Sequence, residues 1–311
     1  MAPSQESQAL AQLFKTIAAN FPSEPNHFLE RCVYDQVHQA AAEPTGVTYE
    51  NTVAAGRPCL WIRPENASPK HAMLFMHGGG FSFGSPNGHR KMSAHLAKAC
   101  NVAALSVDYR LAPENPYPAG IDDCVNAYKF LLEQGFKPEH IVVAGDSCGG
   151  GLSASVPLSA QKQGLPLPGA VVSLSPSYDL TNDLESMKTN NDVDVLQSEA
   201  FVAMLGDRFT NGDQALKKDP IVSPLYADLD GLPPHWISCG GYDMLLDSGK
   251  KFAEKAKAAG VEVVLEIHEG QQHVMEFMAG KAPEANESIR RIGEWVQGKI
   301  GSQGYGYGIL N

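Results

Sequence analysis

Basic residues, paired cysteines and long apolar runs are scarce in this sequence, and each shortage removes a class of function. Its 311 residues carry 24 Lys and Arg against 35 Asp and Glu, a formal net charge of −11. That sign repels phosphate backbones and anionic membranes, which argues against both as partners and fits a neutral or small substrate. No apolar run is long enough to span a bilayer. The start, MAPSQESQALAQLF, lacks the basic region and long apolar stretch of a secretory signal. Cys32, Cys59, Cys100, Cys124, Cys148 and Cys239 are scattered with no C-x-x-C pair, which suggests neither a zinc site nor a disulfide framework. The expectation is free, mostly buried thiols in a reducing, cytoplasmic compartment. No internal repeat is present, and no metal or cofactor is implied.

What is present is a globular chain, 43% hydrophobic and 19% charged, with a core large enough for one large α/β domain or two small ones. From about residue 70, short β-rich apolar runs alternate with helical patterns. HAMLFM (71–76), VAALSVDY (102–109), IVVAG (141–145), AVVSLS (170–175), HWISCGG (235–241) and VEVVLEIH (261–268) read as strands buried on both faces of a parallel sheet. GVTYENTV and GRPCLWIRP read as leading strands, with an antiparallel arrangement open to them. The order β-β followed by repeated βα units means a doubly wound sheet.

Two segments break the alternation. Residues 1–42 are mainly helical, with Leu10, Phe14, Ile17, Phe21 and Phe28 as apolar points. Residues 180–220 form a long insertion whose core, SEAFVAMLGDRF, reads as an amphipathic helix N-capped by Ser198. The insertion follows the C-terminal end of a strand, where ligands of α/β folds sit, so it is expected to be a lid or binding element. The chain therefore divides into a mainly helical N-terminal segment over 1–42, an α/β part over 43–179 and 221–300, the insertion over 180–220, and a Gly-rich flexible tail over 301–311.

The chemistry concentrates in a few places. GDSCG (145–149) matches G-x-S-x-G between a strand and a helix. A serine at such a tight turn projects its Oγ above the sheet, with the helix dipole under the developing charge. Cys148 stands beside it as a second conceivable nucleophile. MHGGGFSFG (76–84) follows a strand, and its three glycines leave backbone N–H groups free to turn toward an anion. A nucleophilic serine needs a base, and the base needs an orienting acid. Downstream of Ser147 the histidines are His235, His268 and His273. His235 begins a strand, at its wrong end, and His268 ends one. His273 lies past Gly270 in a loop free to reach over the sheet, a placement that favours it together with the resemblance below. Asp243 and Asp247 follow the penultimate strand; Asp243 lies just beyond its end, and Asp247 is expected to support the following helix.

HGGGF (77–81), DYRLAPENPYPA (108–119), GDSCGGGL (145–152), SPSYDLT (175–181), YDMLLDSG (242–249) and GQQHV (270–274) together resemble the hormone-sensitive lipase family, or bacterial family IV esterases. They run in family order from about residue 45 to 300. The resemblance implies an α/β-hydrolase fold, a mostly parallel eight-stranded doubly wound sheet forming a catalytic domain over 43–179 and 221–300, with a helical cap made from N-terminal cap helices over 1–42 and a cap insertion over 180–220. It implies Ser147 as nucleophile, His273 as base, Asp243 as orienting acid, and the N–H groups of Gly79, Gly80 and Cys148 as oxyanion donors. Arg110, Glu114 and Asp122 or Asp123 would form a buried support network. Two departures stand out: Cys148 where the family usually has Ala, and Val274-Met275 after the histidine where Gly-Phe is frequent. The family often forms dimers through an edge strand or the last helix, which leaves a homodimer open here.

The expected function is a serine carboxylester hydrolase acting on short-to-medium acyl or compact small-molecule esters. Lactone or carbamate hydrolysis and acyl transfer use the same machinery. A non-catalytic small-molecule receptor on the same fold is a further alternative, against which the filled Ser, Asp and His positions speak. Phe81, Phe83, Tyr178, Phe201, Met204, Leu205 and Phe209 are the pocket candidates.

Overall fold

A computed structural model describes residues 2–302 of the chain. Eight strands form one sheet: β1 (Val47–Ala54), β2 (Arg57–Pro64), β3 (Ser68–Met76), β4 (Val102–Val107), β5 (Ile141–Asp146), β6 (Ala170–Leu174), β7 (His235–Gly240) and β8 (Val263–His268). The spatial order is β1-β2-β4-β3-β5-β6-β7-β8. From β4 onward neighbours are parallel, whereas β1 pairs with β2 and β2 with β4 antiparallel. All eight expected strands are found. Every residue of β4, β5, β6 and β7 is buried, as continuous apolar runs between two helical layers require. The edge strands β1 and β8 are only partly covered.

The helices are α1 (Gln5–Asn20), α2 (His27–Tyr34), α3 (Pro86–Ala99), α4 (Ala119–Glu133), α5 (Cys148–Lys162), the single turn α6 (Ser186–Thr189), α7 (Glu199–Thr210), α8 (Leu246–Ala258) and α9 (Pro283–Ile300). Helices α3 and α9 pack together on one face of the sheet, while α4, α5 and α8 cover the other. In α1, Ser4 accepts from Ser7 N, and Leu10, Phe14 and Ile17 at spacings of four and three form the buried stripe. Phe28, one of the apolar points of this segment, is 65% exposed on α2. In the insertion, Ser198 caps α7 by accepting from Phe201 N. The insertion and the N-terminal segment are joined by a bidentate pair in which Arg208 donates to both Glu30 oxygens at 2.7 and 3.1 Å, both side chains being largely buried.

The support network differs from expectation in membership. Arg110 donates to both Asp123 oxygens at 2.8 and 2.9 Å, but Asp122 is exposed. Glu114 turns away to accept from Arg31 of α2 at 2.7 and 2.8 Å. Of the residues expected in the tail, Gly301 is the left-handed cap of α9, and Ser302 is buried with its hydroxyl on Cys100 O at 2.8 Å. Residues 303–311 lie outside the described residues. Among the described residues five cysteines are buried and Cys32 is exposed, all of them free. No described helix is long and apolar enough to cross a membrane, and no described group of three or more His, Cys, Asp or Glu could hold a metal ion.

Candidate active site

The parallel strands deliver their C-terminal ends to one edge of the sheet, and Ser147, the glycine loop, Asp243 and His273 follow those ends. Between β5 and α5 the chain reverses at Ser147, whose φ of 55° and ψ of −121° a non-glycine residue rarely adopts. The reversal needs close backbone approach: a Cβ on Gly145 would lie 2.2 Å from Gly149 O, and one on Gly149 would lie 2.1 Å from Met76 O. The turn is held by Ser147 N donating to Leu174 O at 2.8 Å, and by Ser147 O accepting from Gly151 N and Ser177 N at 3.0 Å. Helix α5 starts at Cys148, so its first N–H groups point toward the space beside Ser147 without intrahelical partners.

The glycine loop after β3 is bound to this turn. Gly78 N donates to Asp146 Oδ1 at 3.1 Å, and Gly79 O accepts from Ser82 N and Phe83 N at 3.1 and 2.9 Å. Gly79 and Gly80 have φ of 115° and 57°. Cys148 turns its side chain inward under the loop. Its Sγ accepts from Phe81 N at 3.2 Å and lies 3.7 Å from the Tyr109 hydroxyl. Burial pushes this thiol up to about 12, although the Phe81 N–H, the Tyr109 hydroxyl and the Gly80 N–H pull the other way. Cys148 is therefore a neutral thiol near neutral pH, without the thiolate a nucleophile needs.

On the far side, His273 Nδ1 lies 2.9 Å from Asp243 Oδ2, with both side chains buried. Burial disfavours the imidazolium, but the Asp243 carboxylate, together with Asp194 and Asp146, outweighs it and raises the pKa of His273 above the ordinary value. Asp243 Oδ1 accepts from Leu245 N at 2.8 Å, which leaves Oδ2 for the ring. The loop carrying the histidine passes so close to the end of β7 that a Cβ on Gly240 would lie 2.4 Å from Gln272 O. Val274 then takes a left-handed φ of 49°, with its N–H on Ser175 Oγ at 2.9 Å. Among the described residues no hydrogen bond joins Ser147 Oγ to the His273 ring, although both border one cavity; such contacts often tighten only when substrate is bound. His235 sits at the opposite end of β7 with Nδ1 2.6 Å from Pro233 O, and His268 lies on the edge strand near Glu266. Asp247, in the first turn of α8, accepts from Ser186 N and Lys250 Nζ at 2.9 and 3.0 Å.

Ser147, His273, Gly79, Gly80 and Cys148 all border this cavity, together with Phe81 and Phe83 of the glycine loop and Phe201 and Leu205 of α7. Its solvent-accessible volume is ≈ 40 Å³, room for only a few water molecules. Three expected pocket residues lie elsewhere. Tyr178 is stacked on Phe252 at 4.0 Å with its hydroxyl on Ser173 Oγ, beneath the sheet edge. Phe209, one turn further along α7 than the lining residues, stacks on Phe81 at 3.8 Å and backs the wall. Met204 does not line the cavity; it is half-buried and packs against the edge of an apolar cluster. The sequence reading does not single out Tyr34, Leu196, Gln197, Val202 or Leu245, which line the cavity, and it marks Phe21 only as an apolar point of the N-terminal segment. For Val202 the i, i+4 spacing to Gly206 on α7 was an available signal; for the others none was.

A strand-turn-helix serine, a glycine loop and a buried His–Asp pair at one sheet edge define a hydrolase of the α/β type, and comparison with known proteins agrees. The family model for the alpha/beta hydrolase fold matches residues 73–277, and the chain belongs to that family. An esterase of Acinetobacter venetianus is 39% identical over 231 residues, covering 74% of this chain and 76% of the relative. An acetyl-hydrolase of Streptomyces hygroscopicus is 33% identical over 272 residues, covering 87% and 90%. Among solved structures, an esterase from the bacterial hormone-sensitive lipase family superposes with a TM-score of 0.91 at 36% identity, covering 96% of this chain and 100% of the other. The esterase EstE5, soaked with p-nitrophenyl butyrate, superposes with a TM-score of 0.89 at 37% identity, covering 96% and 99%. Within the α/β-hydrolases this chain is a member of the hormone-sensitive lipase family.

Proposed function

We propose that this protein is a serine carboxylester hydrolase in which Ser147, His273 and Asp243 act as nucleophile, base and orienting acid. Relatives named for esterase and acetyl-hydrolase activity support the reaction class. The observation that carries the residue assignment is the buried His273–Asp243 contact of 2.9 Å bordering the same cavity as the strained Ser147. In this reading Asp243 holds the Nδ1 proton, so Nε2 faces the cavity as the acceptor. His273 takes the Ser147 proton as Oγ bonds to the ester carbonyl carbon. The carbonyl oxygen gains the negative charge against the N–H groups of Gly79, Gly80 and Cys148, each donor contributing on the order of 3 kcal/mol. His273 then protonates the leaving alcohol, and water, activated by the same ring, hydrolyses the acyl-enzyme. No cofactor enters these steps.

The narrow cavity and its aromatic walls support short acyl groups or compact esters. The N-terminal segment and the 180–220 insertion, tied by Arg208 and Glu30, act together as a cap over it. The test is covalent labelling with a fluorophosphonate and turnover of p-nitrophenyl butyrate. Ser147→Ala is expected to abolish the label and to lower kcat by at least about 10⁴-fold, on the scale seen when a serine nucleophile is removed. Unchanged turnover in the folded variant would reject the assignment.

A further inference from the structure

The buried carboxylates at the site number more than the proposed triad uses. Asp194, in the insertion between α6 and α7, is 5% exposed and directed at the acid–base pair. Its Oδ1 accepts from Leu196 N and Gln197 N at 3.0 Å, and its Oδ2 accepts from Met244 N at 3.1 Å and Gln197 Nε2 at 3.0 Å. Four N–H donors and no hydroxyl partner are the surroundings of an ionised carboxylate. Met244 is the residue after Asp243. Gln197 Nε2 also reaches Asp243 Oδ1 at 3.4 Å, so one amide bridges the two carboxylates while lining the cavity.

Resting on the triad reading above, we propose that Asp194 is a positioning residue of the cap: it clamps the Asp243 loop through Met244 and Gln197 and adds a second carboxylate next to the Asp243–His273 pair. The first role follows from the bonds. Asp243 can orient the imidazole only while its own second oxygen is held, and Leu245 N and Gln197 Nε2 hold it. The effect of the second carboxylate follows from its sign. A negative charge beside His273 favours the imidazolium, and Asp194 acts in the same direction as Asp243 and Asp146. Burial and the neighbouring Asp243 charge in turn raise the pKa of Asp194 above that of an ordinary aspartate. The other nearby acids are directed elsewhere: Glu276 accepts from Ser238 and Ser288, and Asp192 and Glu199 on Asp194's own segment are exposed. Because the clamp spans cap and catalytic domain, the pair is fully organised only with the cap in place.

The experiment is the pH profile of kcat and kcat/KM for p-nitrophenyl butyrate in Asp194→Asn, Asp194→Glu and Gln197→Leu. In Asp194→Asn we expect kcat to fall about tenfold with KM within about twofold, a fraction of what acid–base catalysis supplies. Loss of the charge should also move the acid limb of kcat/KM to lower pH by about one unit. Asp194→Glu keeps the limb in place. Gln197→Leu lowers kcat without moving the limb, since the charge remains. A folded Asp194→Asn enzyme with kcat within twofold of the parent and an unmoved limb overturns the proposal. If Asp194→Asn does not fold, Gln197→Leu decides: a kcat within twofold of the parent overturns the clamp. Fluorophosphonate labelling separates the two readings. Failure of the parent to label at Ser147 rejects the triad itself, whereas a labelled parent with insensitive variants rejects only the role of Asp194.

Discussion

At the scale of single residues, Ser147 and Cys148 are adjacent in sequence and opposite in environment. The left-handed turn points Ser147 into the cavity, whereas the first turn of α5 points Cys148 under the glycine loop, where burial keeps the thiol protonated. Cys148 contributes its backbone N–H to the proposed oxyanion site and its sulfur as an acceptor for Phe81 N. Deleting the sulfur leaves that donor unpaired, at a cost of about 1 kcal/mol. Cys148→Ala is therefore expected to keep kcat/KM within about tenfold of the parent and to lower the unfolding midpoint modestly. Steady-state kinetics with urea unfolding checks both; an inactive, folded Cys148→Ala would mean that the thiol itself takes part.

At the scale of elements, α7 decides what fits. Phe201, Val202, Leu205 and Gly206 face the cavity, and Leu205 stands so close to the glycine loop that a Cβ on Gly80 would lie 2.3 Å from its Cδ1. In the proposed site, that contact closes the space above the oxyanion donors and limits the length of the acyl chain. Leu205→Ala is expected to move the optimum of a p-nitrophenyl ester series to longer chains. The ratio of kcat/KM for octanoate over butyrate should rise roughly tenfold or more, on the scale that one pocket methylene discriminates. Because the void opens into an existing cavity, the stability loss should lie near the lower end of the usual range, about 2 kcal/mol. An unchanged chain-length profile would place the limiting wall elsewhere.

At the scale of the whole molecule, buried histidines link stability to pH. Burial holds His77 down to about 3 and His235 down to about 4, so both fold as neutral rings. The unfolded chain protonates them near 6.5 while the folded chain does not. Stability is thus complete above about pH 6.5 and falls on acidification until the folded values are reached, by about 2 kcal/mol per ring at pH 5. His89 and His273 have the opposite sign: burial lowers their pKa, but Asp146 and Asp243 respectively raise it further. Their contribution is present below about pH 6.5 and disappears as pH rises through their folded values, offsetting part of the acid loss. In urea unfolding at pH 7 and pH 5, His235→Gln should lose about 2 kcal/mol less than the parent between the two. Equal losses would show that His235 is not a source of the acid sensitivity.

The sequence by itself determined the strand–helix alternation, the elbow, the glycine loop and the short list of candidate acids and bases. Those features are written locally: hydrophobic period needs only neighbouring residues, and a turn that admits no Cβ demands glycine at a fixed offset from its serine. Even α7 over Glu199–Thr210 was legible from Ser198 and its apolar spacing. Only the tertiary structure decided which residues bound the cavity. It sent Tyr178 to Phe252, left Met204 half-buried off the cavity, and brought Phe21 and Tyr34 from the N-terminal segment against Phe83. It alone set Asp194 against a pair 49 and 79 residues further along the chain. Such neighbours depend on how separate elements pack and on the direction each side chain leaves its helix, which no local period records.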